Sequence, residues 1–161
     1  MIKKVISGGQ TGADQGGLLG ARDVGVETGG TAPHNWMTSD GPQEELLKSF
    51  GLIPGPYDPK TWPVRTKCNV QDSDGTVIFG NVRSYGSQLT YNLCTKLGKP
   101  VIINPLPEIL VEWVRENEIT ILNVAGNRES KNCGIQERVR KIIKITLLLL
   151  KENARFNTNA A

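Results

Sequence analysis

Ile6-Ser7-Gly8-Gly9-Gln10-Thr11-Gly12-Ala13-Asp14 is the stretch on which the reading of this chain turns. The apolar run 2–7 leading into it has the length of a short buried strand, and residues 13–24 after it carry the spacing of a helix. A strand that enters a helix through glycines can bring main-chain N–H groups onto an oxyanion. No Cβ stands in the way, and the helix N-terminus adds partial positive charge. Thr11 is placed to cap the helix, and Asp14 falls in its first turn, where a carboxylate complements the helix dipole. The stretch is neither G-x-G-x-x-G nor a Walker A sequence, since no Gly-Lys-Ser/Thr follows. Kinase-like or NTPase chemistry thereby loses its main support.

Outward from this turn, strand-like and helix-like segments alternate. A short strand is expected at 26–28, and a helix at 43–50 opened by Asp40-Gly41-Pro42 and closed by Gly51. Residues 53–63 hold four of the nine prolines and read as an irregular loop. A short helix at 64–70 and a core strand at 76–79 follow, then a helix at 86–97 closed by Gly98. Next come a strand at 100–103, a helix at 107–117 with Trp113 inward, and a strand at 119–124 broken by Ala125-Gly126. A long amphipathic helix covers 134–151, and 153–161 reads as a frayed, flexible tail. The alternation predicts one α/β domain over 1–152, a Rossmann-like three-layer sandwich around a mostly parallel sheet.

Composition narrows the function classes. The 161 residues are 38% hydrophobic and 22% charged, ordinary values for a globular domain. The net charge of +3 admits anionic ligands but is no basic stripe of the kind that binds a nucleic acid duplex. Cys68, Cys94 and Cys133 match no zinc or disulfide spacing, so reduced thiols and a cytoplasmic setting are expected. No signal peptide opens the chain, and the apolar run 145–150 is too short to span a bilayer.

Ligands of such sheets sit beyond the carboxyl ends of the strands, where three turns fall. The first supplies Gly8, Gly9, Gln10, Thr11, Gly12 and Asp14 as candidate site residues. The second runs from Phe79-Gly80-Asn81 to Tyr85-Gly86-Ser87-Gln88-Leu89-Thr90, and Asn81, Gly86, Ser87 and Thr90 are its candidates. Ser87 serves equally well as a helix cap there. The third, Gly126-Asn127-Arg128-Glu129-Ser130, offers Gly126, Arg128, Glu129 and Ser130, with Arg128 a permanently charged planar donor. His34, the one histidine, has no carboxylate trio or cysteine near it in sequence, which speaks against a metal site. Trp36, Tyr57 and Trp62 stand in loops from which they can stack on a ring or simply pack. Asp72 and Asp74 suit a turn-and-cap role better than ligand contacts. Nothing beside Cys94 or Cys133 supplies a base for nucleophilic catalysis.

Taken together these blocks resemble the molybdenum carrier family, a circularly permuted branch of the SLOG superfamily of Rossmann-like nucleotide-binding proteins. The likeness runs through residues 6–14, Glu27, Gly29-Gly30-Thr31-Ala32-Pro33, Asp40-Gly41-Pro42, Arg65-Thr66, Asn69, residues 72–76 and Leu97-Gly98-Lys99-Pro100. It continues in Leu122-Asn123-Val124-Ala125-Gly126, Arg128-Glu129-Ser130 and Gly134-Ile135. The resemblance implies a cleft at the glycine turns, a homo-oligomer (dimer or tetramer), and a small phosphate-containing ligand with no membrane partner. It implies two ligand classes: a molybdopterin-type cofactor that is carried, or an ADP-ribose-type nucleotide. Compact forms of this kind are also similar to bacteriophage proteins, in which such a binder would sequester a cyclic ADP-ribose-type second messenger as an anti-defence sponge. Where family members often carry Arg after the loop Pro-Trp, this chain reads Pro33-His34-Asn35-Trp36-Met37. Cousins that release cytokinin bases carry Pro-Gly-Gly-x-Gly-Thr-x-x-Glu, and here the Glu position is Thr90, which cannot act as a carboxylate base. The expectation is therefore a non-catalytic binder, with hydrolysis of a nucleotide glycosidic or phosphate bond by Asp14 or Asp72 as the alternative.

Overall fold

In the computed structural model, residues 1–57 and 61–159 are described. The chain runs β1 (Lys4–Ile6), α1 (Ala13–Asp23), β2 (Glu27–Ala32), β3 (Met37–Thr38), β4 (Gly41–Pro42), α2 (Glu44–Ser49) and β5 (Leu52–Pro54). It continues through α3 (Thr61–Asp72), β6 (Gly75–Phe79), α4 (Tyr85–Lys96), β7 (Val101–Ile103), α5 (Pro107–Glu116), β8 (Ile121–Gly126), one 3-10 turn (Glu129–Lys131) and α6 (Ile135–Asn159). Six strands pair in the order β5-β2-β1-β8-β6-β7, all in parallel. The expected Rossmann-like α/β sandwich is what forms.

Helices α1, α5 and α6 cover one face, with α3 and α4 on the other. The first face buries Val139, Ile143 and Leu147 of α6 and Leu110 and Val114 of α5 against Val5, Leu122 and Val124. Residues 75–79 of β6 are buried throughout, as expected of a strand covered on both sides. The last strand, β8, enters the middle of the sheet between β1 and β6. From β1 the chain winds one way to β2, and from β6 it winds the other way to β7. Their carboxyl ends frame the crevice where the winding reverses.

Several local expectations give way to tertiary contacts. Strand β2 runs on through Gly29-Gly30 because both edges are paired, Ile6 opposite Gly29 and Gly30 opposite Leu52. Residues 40–42 do not open a helix. Thr38 Oγ1 donates to the Gly41 carbonyl at 2.8 Å, which closes a hairpin of β3 and β4. The proline-rich 53–63 segment contributes Ile53 and Pro54 to the outer strand, where a missing N–H costs nothing. Its end is already the first turn of α3, which tolerates Pro63; residues 58–60 lie outside the described residues. Helix α6 continues to Asn159 instead of ending at Lys151. Thr11 does not cap α1. Gly12 holds the cap position at φ +94°, left-handed backbone that glycine adopts freely, and makes no side-chain cap bond.

Helix α1 lies against α6 through its small face. A Cβ built on Gly20 would stand 2.6 Å from the Arg140 carbonyl oxygen, and one on Gly16 would overlap the Gln136 carbonyl. This close approach carries the N-terminus of α6 to the end of the first turn. Gly16→Val is expected to cost about 1–3 kcal/mol by forcing the two backbones apart, read as a lower urea midpoint with unchanged slope.

Candidate functional site

In the first turn the N–H groups are already occupied, chiefly by side-chain oxygens. Gly9 N–H donates to Ser7 Oγ (3.2 Å), Gln10 N–H to Asp14 Oδ2 (3.3 Å) and Thr11 N–H to Gln10 Oε1 (2.9 Å). Gly12 N–H donates to Gln136 Oε1 at 2.9 Å, and Ala13 N–H to the Asn127 carbonyl at 3.0 Å. Gly8 N–H also bonds the Asp14 carboxylate. The anion expected among these amides is thus the protein's own Asp14. Its Oδ2 also receives Arg65 Nη1 at 3.2 Å, and both side chains are nearly buried. The guanidinium occupies the space beside Gly8, where any Cβ would overlap Nη1. Gly8 is glycine because an arginine occupies its side-chain space.

The third turn is also internally committed. Glu129 accepts the N–H groups of Gly134 and, at 2.9 Å, Gln136, so it caps α6 and closes that helix end to a ligand. Asn127 knots the three turns together. Its Oδ1 accepts Asn81 N–H (2.6 Å), its Nδ2 donates to the Asn81 carbonyl (3.2 Å) and Ser84 Oγ (3.1 Å), and its carbonyl takes Ala13 N–H.

The start of α4 differs. Ser84 is its cap, accepting Ser87 N–H at 3.4 Å, so Ser87 is capped and does not cap. The N–H groups of Tyr85 and Gly86 meet no acceptor among the described residues. A Cβ on Gly86 would meet nothing within 4 Å. Gly86 also lies on the wall of a cleft of about 70 Å³, lined with it by Gly8, Asp14, Arg65, Thr66, Asn69, Thr90 and residues 123–126. Thr90 Oγ1 donates to the Gly86 carbonyl at 3.0 Å, and Asn123 Nδ2 to Thr76 Oγ1 at 3.2 Å, each anchored on the cleft wall. Asn69 bridges Thr31 on both sides, accepting its N–H at 2.8 Å and donating to its carbonyl at 2.9 Å, which ties α3 and hence Arg65 to β2.

Burial sets the electrostatics. It pushes the Asp14 carboxyl above the usual carboxylate range, and the Arg65 charge and the N–H donors offset this only in part. Burial also draws the Arg65 guanidinium down. The Asp14 carboxylate opposes that shift, whereas the positive charge of Arg128 adds to it. Arg128 itself is exposed. Arg65 lines the cleft beside Asp14, and the Arg128 charge acts on it from outside the lining. The arrangement can hold a small oxyanion through a fixed guanidinium and a helix-end amide.

Of the residues singled out from sequence, Gly8, Asp14, Gly86, Thr90 and Gly126 line the cleft. Gly9, Gln10, Thr11 and Gly12 shape the first turn behind it, and Asn81, Ser87 and Glu129 hold the other two turns. Ser130 stands exposed in the 3-10 turn. Arg65, Asn69 and Asn123 were not singled out as ligand contacts, although all three stand in the family-like blocks. Asp72 and Asp74 lie at the opposite edge of the sheet. Asp74 Oδ2 takes Thr120 N–H, Thr120 Oγ1 and Ile121 N–H at 2.7–2.9 Å. Burial works to raise the Asp74 carboxyl, but these bonds hold it below the usual range. Trp36 is buried under Lys48, 5.5 Å from its ring, and Tyr57 meets His34 edge-on; the Trp62 side chain lies outside the described residues. Among the described residues no group of three His, Cys, Asp or Glu is placed to hold a metal ion, and no helix is long and apolar enough to cross a membrane.

The fold is that of a Rossmann-like domain with a small cleft at its strand switch point. Residues 5–147 match the model of the circularly permutated YpsA SLOG family, and the chain belongs to that family. Among solved structures it is similar to the "Putative molybdenum carrier protein" of Syntrophus aciditrophicus SB. The identity is 30% and the TM-score 0.78, over 91% of this chain and 95% of that one. Comparison with curated proteins gave no match.

Removing Arg65 alone strands a buried carboxylate. Arg65→Met is expected to cost about 3–5 kcal/mol at pH 8. The loss shrinks as pH falls, because the raised Asp14 carboxyl takes up a proton and sheds the unpaired charge. Asp14→Asn/Arg65→Met should recover most of the stability, measured by urea denaturation at pH 8 and pH 5.

Proposed function

We propose that the protein is a non-catalytic binder whose cleft receives the phosphate of a nucleotide-like or pterin-type ligand. One observation carries this reading: Gly86, whose N–H meets no acceptor among the described residues, and Arg65 line the same cleft. Its size is informative. About 70 Å³ suits a phosphate group, whereas sites for whole drug-sized ligands run to about 300–1,000 Å³. The phosphate therefore enters, and the rest of the ligand lies across the rim. Asp14 accepts from Arg65 and from two main-chain amides, so in the free protein its carboxyl is held in the first turn.

Two physiological roles share this chemistry. The relative named as a molybdenum carrier supports transport of a molybdopterin-type cofactor, with the pterin phosphate in the cleft. Sequestration of a cyclic ADP-ribose-type signal uses the same contacts. Mass spectrometry of the ligand released from natively purified protein separates them, because a carrier yields the pterin and a sponge yields the nucleotide. The hydrolytic alternative has one observation in its favour, the burial-raised Asp14 carboxyl on the cleft wall. Turnover of a nucleotide panel that disappears in Asp14→Asn would establish it in place of simple binding.

Gly86 lines the cleft and a Cβ built on it meets nothing within 4 Å, so Gly86→Val adds bulk at the cleft wall without overlapping the protein. The variant should lose at least about tenfold in ligand affinity while its stability stays within about 0.5 kcal/mol of the parent. Calorimetric titration and a thermal melt check both arms.

A further inference from the structure

The proposed phosphate cleft contains a second anionic group, and that has a consequence for what binding must carry with it. Asp14 and Arg65 line the same small space, 3.2 Å apart and both nearly buried. Arg65 balances one negative charge, and Asp14 already uses it. An incoming dianion therefore comes within a few ångströms of a desolvated carboxylate that can move nowhere, because Gln10 N–H and Gly8 N–H hold it in the turn. Like charges that close inside a protein do not both stay ionised.

We propose that an oxyanion enters this cleft together with one proton, which Asp14 takes from solvent as its hold on Arg65 passes to the ligand. The inference rests on the anion-binding reading and adds the proton to it. The neighbours leave Asp14 as the group that titrates. From α3 it faces Arg65, and Arg128 beyond that residue acts on the guanidinium. The α4 side presents Gly86 and Thr90, and β8 presents Asn123, none of which ionises. Glu129, the nearest acid of the third turn, is engaged by Gly134 and Gln136 N–H at the start of α6. Burial already favours the protonated carboxyl, so the proton is readily taken up. Affinity must then fall as pH rises, because a larger share of Asp14 has to be reprotonated on binding.

The test uses the full chain and sulfate, which stays a dianion across the pH range that matters. Sulfate is titrated by calorimetry at pH 8 in two buffers of different ionisation enthalpy. The difference in apparent heat is expected to report uptake of about one proton per sulfate bound. Across pH 5–9 the Kd is expected to rise toward about tenfold per pH unit once Asp14 is ionised in the free protein. Asp14→Asn should bind sulfate with no uptake and no pH dependence; the buffer comparison on the parent chain stands even if that variant fails to fold. Binding without proton uptake, at constant Kd, overturns this inference and leaves the anion site intact. No sulfate binding, or binding that survives Gly86→Val, overturns the cleft reading itself.

Discussion

The Asp14–Arg65 ion pair seated on Gly8 is the contact around which the carboxyl edge of the sheet is organised. It joins the first βα turn to α3, on the opposite face from α1. The N–H groups of Gly8 and Gln10 converge on the same carboxylate. A buried ion pair gains little net stability once desolvation is counted, but it is costly to break from one side. The pair therefore acts as a positional device. It holds a guanidinium at the mouth of the crevice, in a pose an exposed arginine would not keep.

That arrangement explains why one glycine turn differs from the others. The first turn is filled by its own aspartate and by Gln136, and the third by Glu129 capping α6. At the start of α4 the N–H groups of Tyr85 and Gly86 meet no acceptor among the described residues, and Gly86 lines the cleft together with Arg65. A helix end and a fixed cation beside a small cleft are, by elementary electrostatics, the groups that the proposed oxyanion site requires. Family membership and the likeness to a protein named as a molybdenum carrier agree with a ligand-holding role.

Much of the fold was legible because period and punctuation agree. Residues 75–79 have the apolar run of a strand covered on both faces, and Gly98 ends the helix before β7 much as the glycine rule anticipates. The misreadings share a cause: local signals yielded to partners distant in sequence. Gly29-Gly30 look like a strand terminator, yet lie in a strand paired on both edges. Pro54 looks like loop, yet forms the outer edge. At the site, the sequence suggests that Gly8 and Gly12 face an oxyanion, whereas the atoms beside them are protein, Arg65 and the 127–129 backbone. No spacing rule links Arg65 to Asp14 across fifty-one residues. Only the packing of α3 brings them together, and residence in a family-like block was the one signal that marked Arg65.

The most direct measurement is anomalous diffraction from crystals soaked in molybdate, a tetrahedral oxyanion with a strong anomalous signal. The account predicts a molybdenum peak in the cleft, its oxygens within hydrogen-bond distance of Gly86 N–H and the Arg65 guanidinium. A saturating soak that leaves the cleft without a peak, with the Asp14–Arg65 pair unchanged, would contradict it.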